Sequence, residues 1–207
     1  MRAIRTFISI LCACCAMSGS AWAQSAIRNG EWSHGTELNG FAGVAADSTN
    51  SGPALGGAVG WQVMPAFAIE GSGTWTEFGE GTNAFGGSLK ARMRLFGRRS
   101  VDPFVQGGIG MYRATFGPAA TRIPDFYRRR MSDPMQIDAF GETFTDPTVI
   151  AGGGVNIFLT RHLAIRPDVE ATFVRRSGHS HVVTTVALHA VFNFEDHPVT
   201  PQRAPRR

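Results

Sequence analysis

Three ionisable residues near the C-terminal end of the chain carry the groups that acid–base catalysis uses. Asp168 and Glu170 are carboxylates two residues apart, and His189 follows in the next alternating segment. A carboxylate that orients a histidine beside a hydroxyl is the arrangement of a hydrolase. The segment His179-Ser180-His181 supplies a hydroxyl and two more imidazoles. If Gly178-His179 forms a two-residue turn, Asp168 lies opposite His189, which is compatible with catalysis and also with a simple ion pair.

A second set of charges has the same alternating placement and favours the ion-pair interpretation. Glu70 precedes a glycine-rich turn at Gly79–Gly81, and a hairpin centred there places Glu70 opposite Lys90 or Arg92. Opposite charges that face each other across strands satisfy one another where water is scarce. We therefore expect a charge network inside the fold, and we assign no catalytic residue and no metal site. The predicted members of the network are Glu70, Lys90, Arg92, Arg94, Arg166, Asp168, Glu170 and His189.

The segments that hold these residues alternate between apolar and polar positions. The clearest stretch runs from Val149 to Phe194 and divides into Val149–Leu159, Leu163–Phe173 and Val182–Phe194. One face of each segment is apolar, and the other is polar, charged or glycine. A repeat of two residues indicates β-strands, and the very short connections indicate antiparallel neighbours.

Five weaker segments with the same period precede this stretch, so the sequence predicts eight strands. They are Glu37–Ala46, Ala54–Val63, Phe67–Glu77, Asn83–Phe96 and Pro103–Phe116. The connections after strands two, four and six are tight, those after one, three and five are longer, and Gly117–Thr145 is the longest. Strands of about ten residues can cross a bilayer when tilted. The predicted fold is all-β, an eight-stranded antiparallel up-and-down transmembrane β-barrel.

The two ends of the chain differ in composition from this region. Residues 1–23 combine a cationic start, an apolar run and Ala21-Trp22-Ala23, which predicts a secretory signal peptide cleaved between Ala23 and Gln24. All three cysteines lie within it, so the predicted mature chain has no disulfide and no cysteine nucleophile. Residues 24–36 predict an irregular lead-in, residues 37–194 the barrel, and residues 195–207 a disordered, proline-rich periplasmic tail.

Composition argues against some classes of partner. Charged residues make up 17% of the chain, and its formal net charge is +4. Arg2 and Arg5 supply two of these charges in a predicted signal that contains no acid, so the mature chain carries about +2. A charge this small and dispersed does not favour nucleic-acid binding. No cofactor is expected.

The direction of the apolar face decides between two kinds of barrel. A secreted soluble barrel turns its apolar face inward, whereas a membrane barrel turns it toward lipid. Several glycines share the charged face, namely Gly56, Gly60, Gly108, Gly110, Gly152 and Gly154. A water-exposed face has no reason to use glycine, but a narrow interior needs small residues beside long charged ones. We therefore predict that the apolar face meets lipid.

Four short motifs occur in order along residues 37–194. They are Gly60-Trp61-Gln62-Val63 with Phe67-Ala68-Ile69-Glu70, then residues 101–110, then residues 152–157, and the ending Val191-Phe192-Asn193-Phe194. These motifs resemble the eight-stranded outer-membrane β-barrel family typified by the OmpA transmembrane domain and OmpX. The resemblance implies an outer-membrane protein of a Gram-negative bacterium, in contact with outer-membrane lipid and lipopolysaccharide. It also implies insertion by the barrel-assembly machinery, with Phe192 and Phe194 as the assembly signal.

One residue departs from this pattern. Pro167 lies in the middle of a predicted strand, where it removes a backbone donor and can force a bulge.

The long connection carries a cluster of arginines. Arg122, Tyr127 and the run Arg128-Arg129-Arg130 lie in a predicted surface loop. Loops on a rigid barrel are where binding residues concentrate, and guanidinium groups suit phosphates. Either the loop is simply solvated, or it contacts lipopolysaccharide phosphates or another acidic surface ligand that the sequence does not identify.

The sequence thus predicts an integral outer-membrane protein with a structural or surface-interaction role and a lumen closed by charged side chains. Two alternatives stay open. One is a barrel enzyme acting on outer-membrane lipid, like lipid A deacylases, although the His-x-Ser-Asn motif of that family is absent. The other is a small-solute pore, which is disfavoured because side chains fill the interior of an eight-stranded barrel.

Overall fold

Eight strands form a closed barrel in the computed structural model, which describes residues 35–64, 66–95, 101–131, 141–160, 162–176 and 178–195. The strands are β1 Gly35–Ala46, β2 Ser51–Met64, β3 Phe67–Gly79, β4 Thr82–Arg94, β5 Val101–Phe116, β6 Glu142–Phe158, β7 Leu163–Arg176 and β8 His179–Glu195. Each strand pairs antiparallel with the next, and β8 closes on β1. The predicted eight-stranded up-and-down fold is confirmed. The predicted signal peptide, residues 24–34 of the lead-in and residues 196–207 of the tail lie outside the described residues.

The connections divide the barrel into two ends. The turn end holds the connections after β2, β4 and β6, and the loop end holds the connections after β1, β3, β5 and β7. The predicted longer connection after the third strand is wrong, because Glu80 and Gly81 alone join β3 to β4. Gly79, Glu80 and Gly81 have φ angles of 80°, 52° and 72°, a region that glycine enters without strain. The glycines therefore permit a tight turn here.

Strand register decides which charges meet inside the barrel. Glu70 pairs with Lys90 across β3 and β4, which is one of the two predicted partners. Across β7 and β8, Arg166 pairs with His189, so the prediction that Asp168 lies directly opposite His189 is wrong. The turn begins one residue earlier than predicted, because Arg176 and His179 pair on either side of residues 177 and 178.

The outer face of the barrel is apolar over its middle. Outward side chains such as Val59, Leu89 and Ile109 are more than half exposed, with Ile109 at 66%. Aromatic residues form two bands on this face, with Trp61, Phe67, Phe192 and Phe194 toward the turn end and Trp75, Phe85 and Phe173 toward the loop end. The prediction that the apolar face points outward is confirmed. A continuous apolar surface of this kind needs a non-aqueous covering.

Six of the eight strands begin earlier than the sequence predicts, and the difference is largest for β6. β1 includes Gly35 and Thr36, and β6 begins at Glu142 rather than Val149. In the extra part of β6 the inward Phe144 packs against other rings, whereas the outward neighbours are exposed threonines. The hydrophobic pattern is reversed there because this part of the strand lies beyond the apolar middle of the outer face. That reversal hid the strand from a search for apolar outward positions.

The inward glycines allow neighbouring strands to approach closely. A Cβ atom on Gly108 would lie 2.3 Å from the Leu89 carbonyl oxygen and 2.9 Å from Cγ of Lys90. At Gly154 it would lie 2.4 Å from the Pro167 carbonyl oxygen. The backbone of the adjacent strand therefore crowds these positions first, and the charged side chains crowd them second. On the outer face the same substitution meets open space at Gly71 and Gly87.

Pro167 interrupts hydrogen bonding without changing the register. Paired positions on β6 and β7 resume at Ile157 and Ile165 in the same register as Gly154 and Asp168, so the predicted bulge is absent. Pro167 alternates with the inward Arg166 and Asp168 and therefore belongs to the outer face. The chain tolerates the missing donor at this point while keeping both inward neighbours in the interior.

Residues 117–131 fold back over the loop end and contain the short helix α1, Asp125–Arg128. Ile123, Tyr127 and Met131 are buried there against inward residues of the barrel such as Phe116 and Val183. We call residues 120–131 the cap. No helix in the described part of the chain is long and apolar enough to cross a membrane.

Candidate functional site

Arg166 lies at the centre of the charge network in the barrel interior. Its side chain is fully buried, and its Nη1 donates to Oε2 of Glu70 at 2.9 Å. Its Nη2 donates to Glu37, and its Nε donates to Oδ1 of Asn156 at 2.8 Å. One guanidinium therefore links residues from β1, β3, β6 and β7. Removing it would leave two buried carboxylates short of a counter-charge.

A second arginine and a lysine complete the neutralisation of these carboxylates. Arg92 donates to Oε2 of Glu37 at 2.7 Å and to Oε2 of Glu70 at 3.0 Å. The Lys90 Nζ lies 3.4 Å from Glu70 and donates to Glu170 at 2.9 Å. The guanidinium carbons of Arg92 and Arg166 lie 5.5 and 5.7 Å from the ring centroid of Phe104, a cation–π distance. Buried charges persist only when paired and hydrogen-bonded in this way.

His189 is held by partners on both ring nitrogens. Its Nε2 lies 3.1 Å from Oδ2 of Asp168, and its Nδ1 lies 3.0 Å from Oδ1 of Asn39. Asn39 also donates its amide nitrogen to Glu70 at 3.2 Å. Contacts at both nitrogens therefore fix the position of the ring. No serine or threonine hydroxyl among the described residues hydrogen-bonds His189, so this pair lacks a nucleophile.

The remaining predicted member of the network lies apart from the others. Arg94 is near the turn end, where its Nε lies 3.2 Å from Oδ2 of the buried Asp102. Its guanidinium carbon is 5.8 Å from the ring centroid of Phe158. The interior therefore holds a central cluster and a separate pair at the turn end. The central cluster has four carboxylates, three permanent cations and the imidazole of His189.

The cap packs against the inward residues at the loop end of the barrel. Tyr127 is 1% exposed, and its ring lies 5.1 Å from Phe116, 5.5 Å from Phe144 and 5.4 Å from His181. Between the cap and the charge network, a cavity of about 30 Å³ lies among threonines and Tyr112. Side chains of the described residues therefore occupy the lumen at both levels.

Polar contacts fasten the cap to the neighbouring connections. Asn50 donates to the carbonyl oxygen of Arg122 at 2.8 Å, and Thr121 donates from its hydroxyl to Glu80. The hydrogen bond from Thr121 holds the pKa of the exposed Glu80 carboxyl below its usual value. These contacts tie the cap to the two connections that follow β1 and β3.

The connection between β1 and β2 also reaches the interior side of β8. His181 Nε2 lies 3.4 Å from Oδ2 of Asp47, and the His181 ring stacks on Phe126 with centroids 5.8 Å apart. Burial raises the pKa of Asp47, but hydrogen bonds from His181 and from the amides of Asn50 and Thr49 lower it more, so the net shift is downward. Of the His179-Ser180-His181 segment, His181 therefore has a packing role, and Ser180 is exposed.

The arginines of the long connection occupy different environments. Arg122, Arg128 and Arg129 are exposed, and Arg128 lies 3.8 Å from Asp125. Arg130 instead donates to Oδ2 of the buried Asp146 at 2.6 Å, and Arg176 donates to Oδ1 of the same carboxylate at 3.0 Å. Tyr127 was predicted in a surface loop, but it is buried in the lumen because its apolar ring fills the mouth of the barrel. Tyr127 therefore supports the cap and does not contact a surface ligand.

Comparisons with known proteins agree with this architecture. No family model and no curated protein matches the chain. The N-terminal β-barrel domain of Pseudomonas aeruginosa OprF is 14% identical, with 79% of this chain and 100% of that chain covered and a TM-score of 0.54. Neisserial surface protein A (NspA) is 9% identical, with 78% and 97% covered and a TM-score of 0.58. The chain has the fold of an eight-stranded outer-membrane β-barrel.

Several residues that complete the interior of this outer-membrane barrel were missed from the sequence. Glu37 and Asn39 join the central cluster, Asp102 pairs with Arg94, and Asp146 pairs with two arginines. Glu37 and Asn39 lie on either side of the outward Leu38. The apolar–polar alternation that would reveal them is weak because β1 contains several glycines. Asp146 lies in the part of β6 whose pattern is reversed. Only the three-dimensional path of the cap brings Arg130 to it.

The two phenylalanines of the predicted assembly signal lie on the last strand of the barrel. Phe192 and Phe194 are both about half exposed on the outer face near the turn end, and their rings meet edge to face at 4.8 Å. His162 stacks on Phe192 at 6.0 Å, and its Nδ1 lies 3.0 Å from the carbonyl oxygen of Asn193. The pair therefore belongs to the aromatic band at the turn end.

Among the described residues, no group of three or more histidines and acids could hold a metal ion.

Proposed function

We propose that this protein is an integral outer-membrane β-barrel with a structural or surface-interaction role and a lumen closed by charged side chains. The observation that carries the proposal is the combination of an apolar outer face with a charged interior. An apolar exterior is stable in lipid and unstable in water. The loop end faces the exterior of the cell, and the turn end faces the periplasm, as in barrels with short periplasmic turns.

Fractionation and heat modifiability test membrane insertion. The mature protein is expected in the outer-membrane fraction, extractable only with detergent. In an unboiled sample the folded barrel should migrate differently on a denaturing gel from the boiled sample. Recovery as soluble periplasmic protein with no heat-dependent shift would refute the proposal.

The proposed closure of the lumen rests on two independent obstructions. The network around Arg166 fills the half of the lumen near the turn end, and Tyr127 fills the mouth at the loop end. In planar bilayers we expect the wild-type protein to insert without stepwise conductance. Discrete conductance steps from purified wild-type protein would instead support a small-solute pore.

The enzyme alternative has weaker support. His189 contacts Asp168 and Asn39 but no hydroxyl nucleophile, and Ser180 points away from His181 in the alternation of β8. Incubation with lipid A should therefore leave its mass unchanged. A change in mass that His189→Ala abolishes in a folded barrel would establish the enzyme instead.

The proposal includes the barrel-assembly machinery as a partner. Its support is the outward pair Phe192 and Phe194 on the last strand. Phe194→Ala should lower the amount of folded protein in the outer membrane, because an aromatic residue at this position is part of the signal the resemblance implies. Phe173→Ala is the matched control, since it removes an outward ring near the loop end. Equal losses in the two variants would argue against a specific assembly role for Phe194.

A further inference from the structure

A cavity of about 420 Å³ lies at the loop end between the cap and the β7–β8 hairpin. Its walls include the cations Arg129, Arg130 and Arg176 and the carboxylate of Asp125, together with Phe126, His179 and Ser180. Pockets of several hundred Å³ are the size that encloses a small organic molecule. The cavity is thus larger than a bare inorganic anion needs.

The cavity has a preformed pair of guanidinium groups. Arg130 comes from the cap and Arg176 from the end of β7, and both donate to the buried carboxylate of Asp146, at 2.6 and 3.0 Å. Two cations held side by side repel each other unless an anion lies between them. The carboxylate of Asp146 is that anion, and its side chain is fully buried beneath the two arginines. The two arginines are therefore held together before any ligand arrives.

Each of these arginines has donors beyond the one that Asp146 takes. A guanidinium has five N–H donors in a planar fork, and the contacts to Asp146 use one nitrogen from each arginine. The structure pairs no carboxylate of the described residues with Arg129, and Asp125 lies 3.8 Å from Arg128. The three arginines that line the cavity face Asp125 and Asp146, which leaves a net charge of +1. Such a site favours an anionic ligand with several acceptor oxygens.

The position of the cavity distinguishes it from the lipid-facing surface. Arg176 lies two residues after the buried Val174, so both belong to the inner side of β7. Its neighbour Arg175 belongs to the outer side. Headgroups of surrounding lipid would meet Arg175 first. The cavity opens instead at the mouth of the barrel, toward the aqueous phase.

The geometry points to a binding site for a phosphate monoester carried by a sugar-sized molecule, held by Arg129, Arg130 and Arg176 with Asp146 as a positioning residue. This inference rests on the proposed surface-interaction role and names its ligand class. A phosphate monoester has the charge and the acceptor oxygens that arginine forks bind most strongly. Phe126 gives the carrier an apolar wall.

Calorimetric titration of the detergent-solubilised, folded protein with glucose 1-phosphate tests the inference. Binding is expected for glucose 1-phosphate and not for glucose, and it should weaken as salt is added. Arg129→Ala should weaken binding by about tenfold, the effect of losing one charge-assisted hydrogen bond. Arg128→Ala is the matched control, because it removes the same charge from the adjacent, exposed residue outside the cavity; its effect should stay below about threefold. Equal effects of the two variants, or no binding by the wild type, would overturn the inference.

A substitution at Asp146 separates geometry from net charge. Asp146→Asn makes the region more positive, so a purely electrostatic surface would bind glucose 1-phosphate more tightly. The proposed site should bind it less tightly, because Arg130 and Arg176 lose the carboxylate that holds them together. Tighter binding by a folded Asp146→Asn variant would contradict the proposed role of Asp146.

Binding to lipid vesicles tests whether the phosphate can belong to a lipid headgroup. Vesicles containing phosphatidic acid present the same phosphate monoester as a lipid headgroup. If the protein binds this lipid and only Arg175→Ala weakens the binding, the phosphate site is on the outer face and the inference fails.

The heat-dependent gel shift is measured on every sample. A normal shift without binding refutes only the phosphate site, whereas a missing shift refutes the membrane barrel itself.

Discussion

At the scale of residues, burial of charge in this protein depends on sharing partners. Glu37 and Glu70 each contact both Arg92 and Arg166, so neither carboxylate relies on a single cation. Replacing one partner of a buried ion pair usually costs more stability than the pair contributes, because the other charge is left uncompensated. Because both carboxylates share Arg166, we expect its replacement to affect the stability of the charge network most.

We expect Arg166→Met to destabilise the barrel by about 3–5 kcal/mol, as for other buried pairs that lose one partner. The reason is that Glu37 and Glu70 keep Arg92 but lose their second guanidinium. Urea-induced unfolding from detergent micelles measures the change. Arg175→Met is the control, since Arg175 is exposed on the same strand, and it should change stability by no more than about 0.5 kcal/mol. Similar effects of both substitutions would show that the interior network contributes little.

Alternation in the sequence identified many of the residues that face inward, but it missed some of them, such as Glu37 and Asn39, and it did not identify all the cross-strand partners. Lys90, Arg92, Arg166 and Glu170 could be assigned to one face because a strand turns every second side chain to the same side. The residue directly opposite His189 on β7 could not be assigned in the same way. A shift of the hairpin turn by one residue moves every cross-strand pair, and the turn residues do not fix that position.

At the scale of elements, the strands and the cap differ in how far sequence predicts them. β2, β3 and β7 have outward apolar residues along most of their length, so their existence and direction were recognisable. The cap has no comparable signal, because α1 spans only Asp125–Arg128 and is stabilised by burial of Tyr127 rather than by helix periodicity. A basic, proline-containing segment therefore appeared to be a solvated loop although it packs against the inward residues of the barrel.

Strand packing gives a prediction about glycine. Gly108→Ala should destabilise the barrel by about 1–3 kcal/mol, because the new methyl group collides with the backbone of β4. Gly87→Ala on β4 itself should be neutral or stabilising by up to about 1 kcal/mol, since its Cβ meets open space on the outer face. Unfolding in urea measures both. A tolerated Gly108→Ala would mean that the interior is less tightly packed than the structure indicates.

The cap gives a second prediction. Tyr127→Ala should raise the hydrogen-exchange rates of amides in Ile123–Met131 by about tenfold or more, because a loss of about 1.4 kcal/mol in local stability corresponds to tenfold in opening. Tyr127→Phe keeps the ring and removes a hydroxyl that has no partner among the described residues, so its exchange should match the wild type. Equal protection in all three proteins would show that Tyr127 does not anchor the cap.

At the scale of the whole molecule, the barrel is arranged opposite to a soluble one. The interior holds the charges, and the exterior holds apolar side chains between two aromatic bands. Eight strands are too few to leave a wide lumen, so side chains can fill it completely. The charge network lies in the half of the barrel near the turn end, and the cap lies at the loop end.

The direction of the outer face toward lipid is the central claim, and tryptophan fluorescence tests it most directly. A Trp32→Phe variant without residues 1–23 retains Trp61 and Trp75, one in each aromatic band of the outer face. After the folded protein is inserted into vesicles, lipid with brominated acyl chains should quench this fluorescence strongly, and the aqueous quencher acrylamide should quench it weakly. Strong quenching by acrylamide with no effect of brominated lipid would contradict the account.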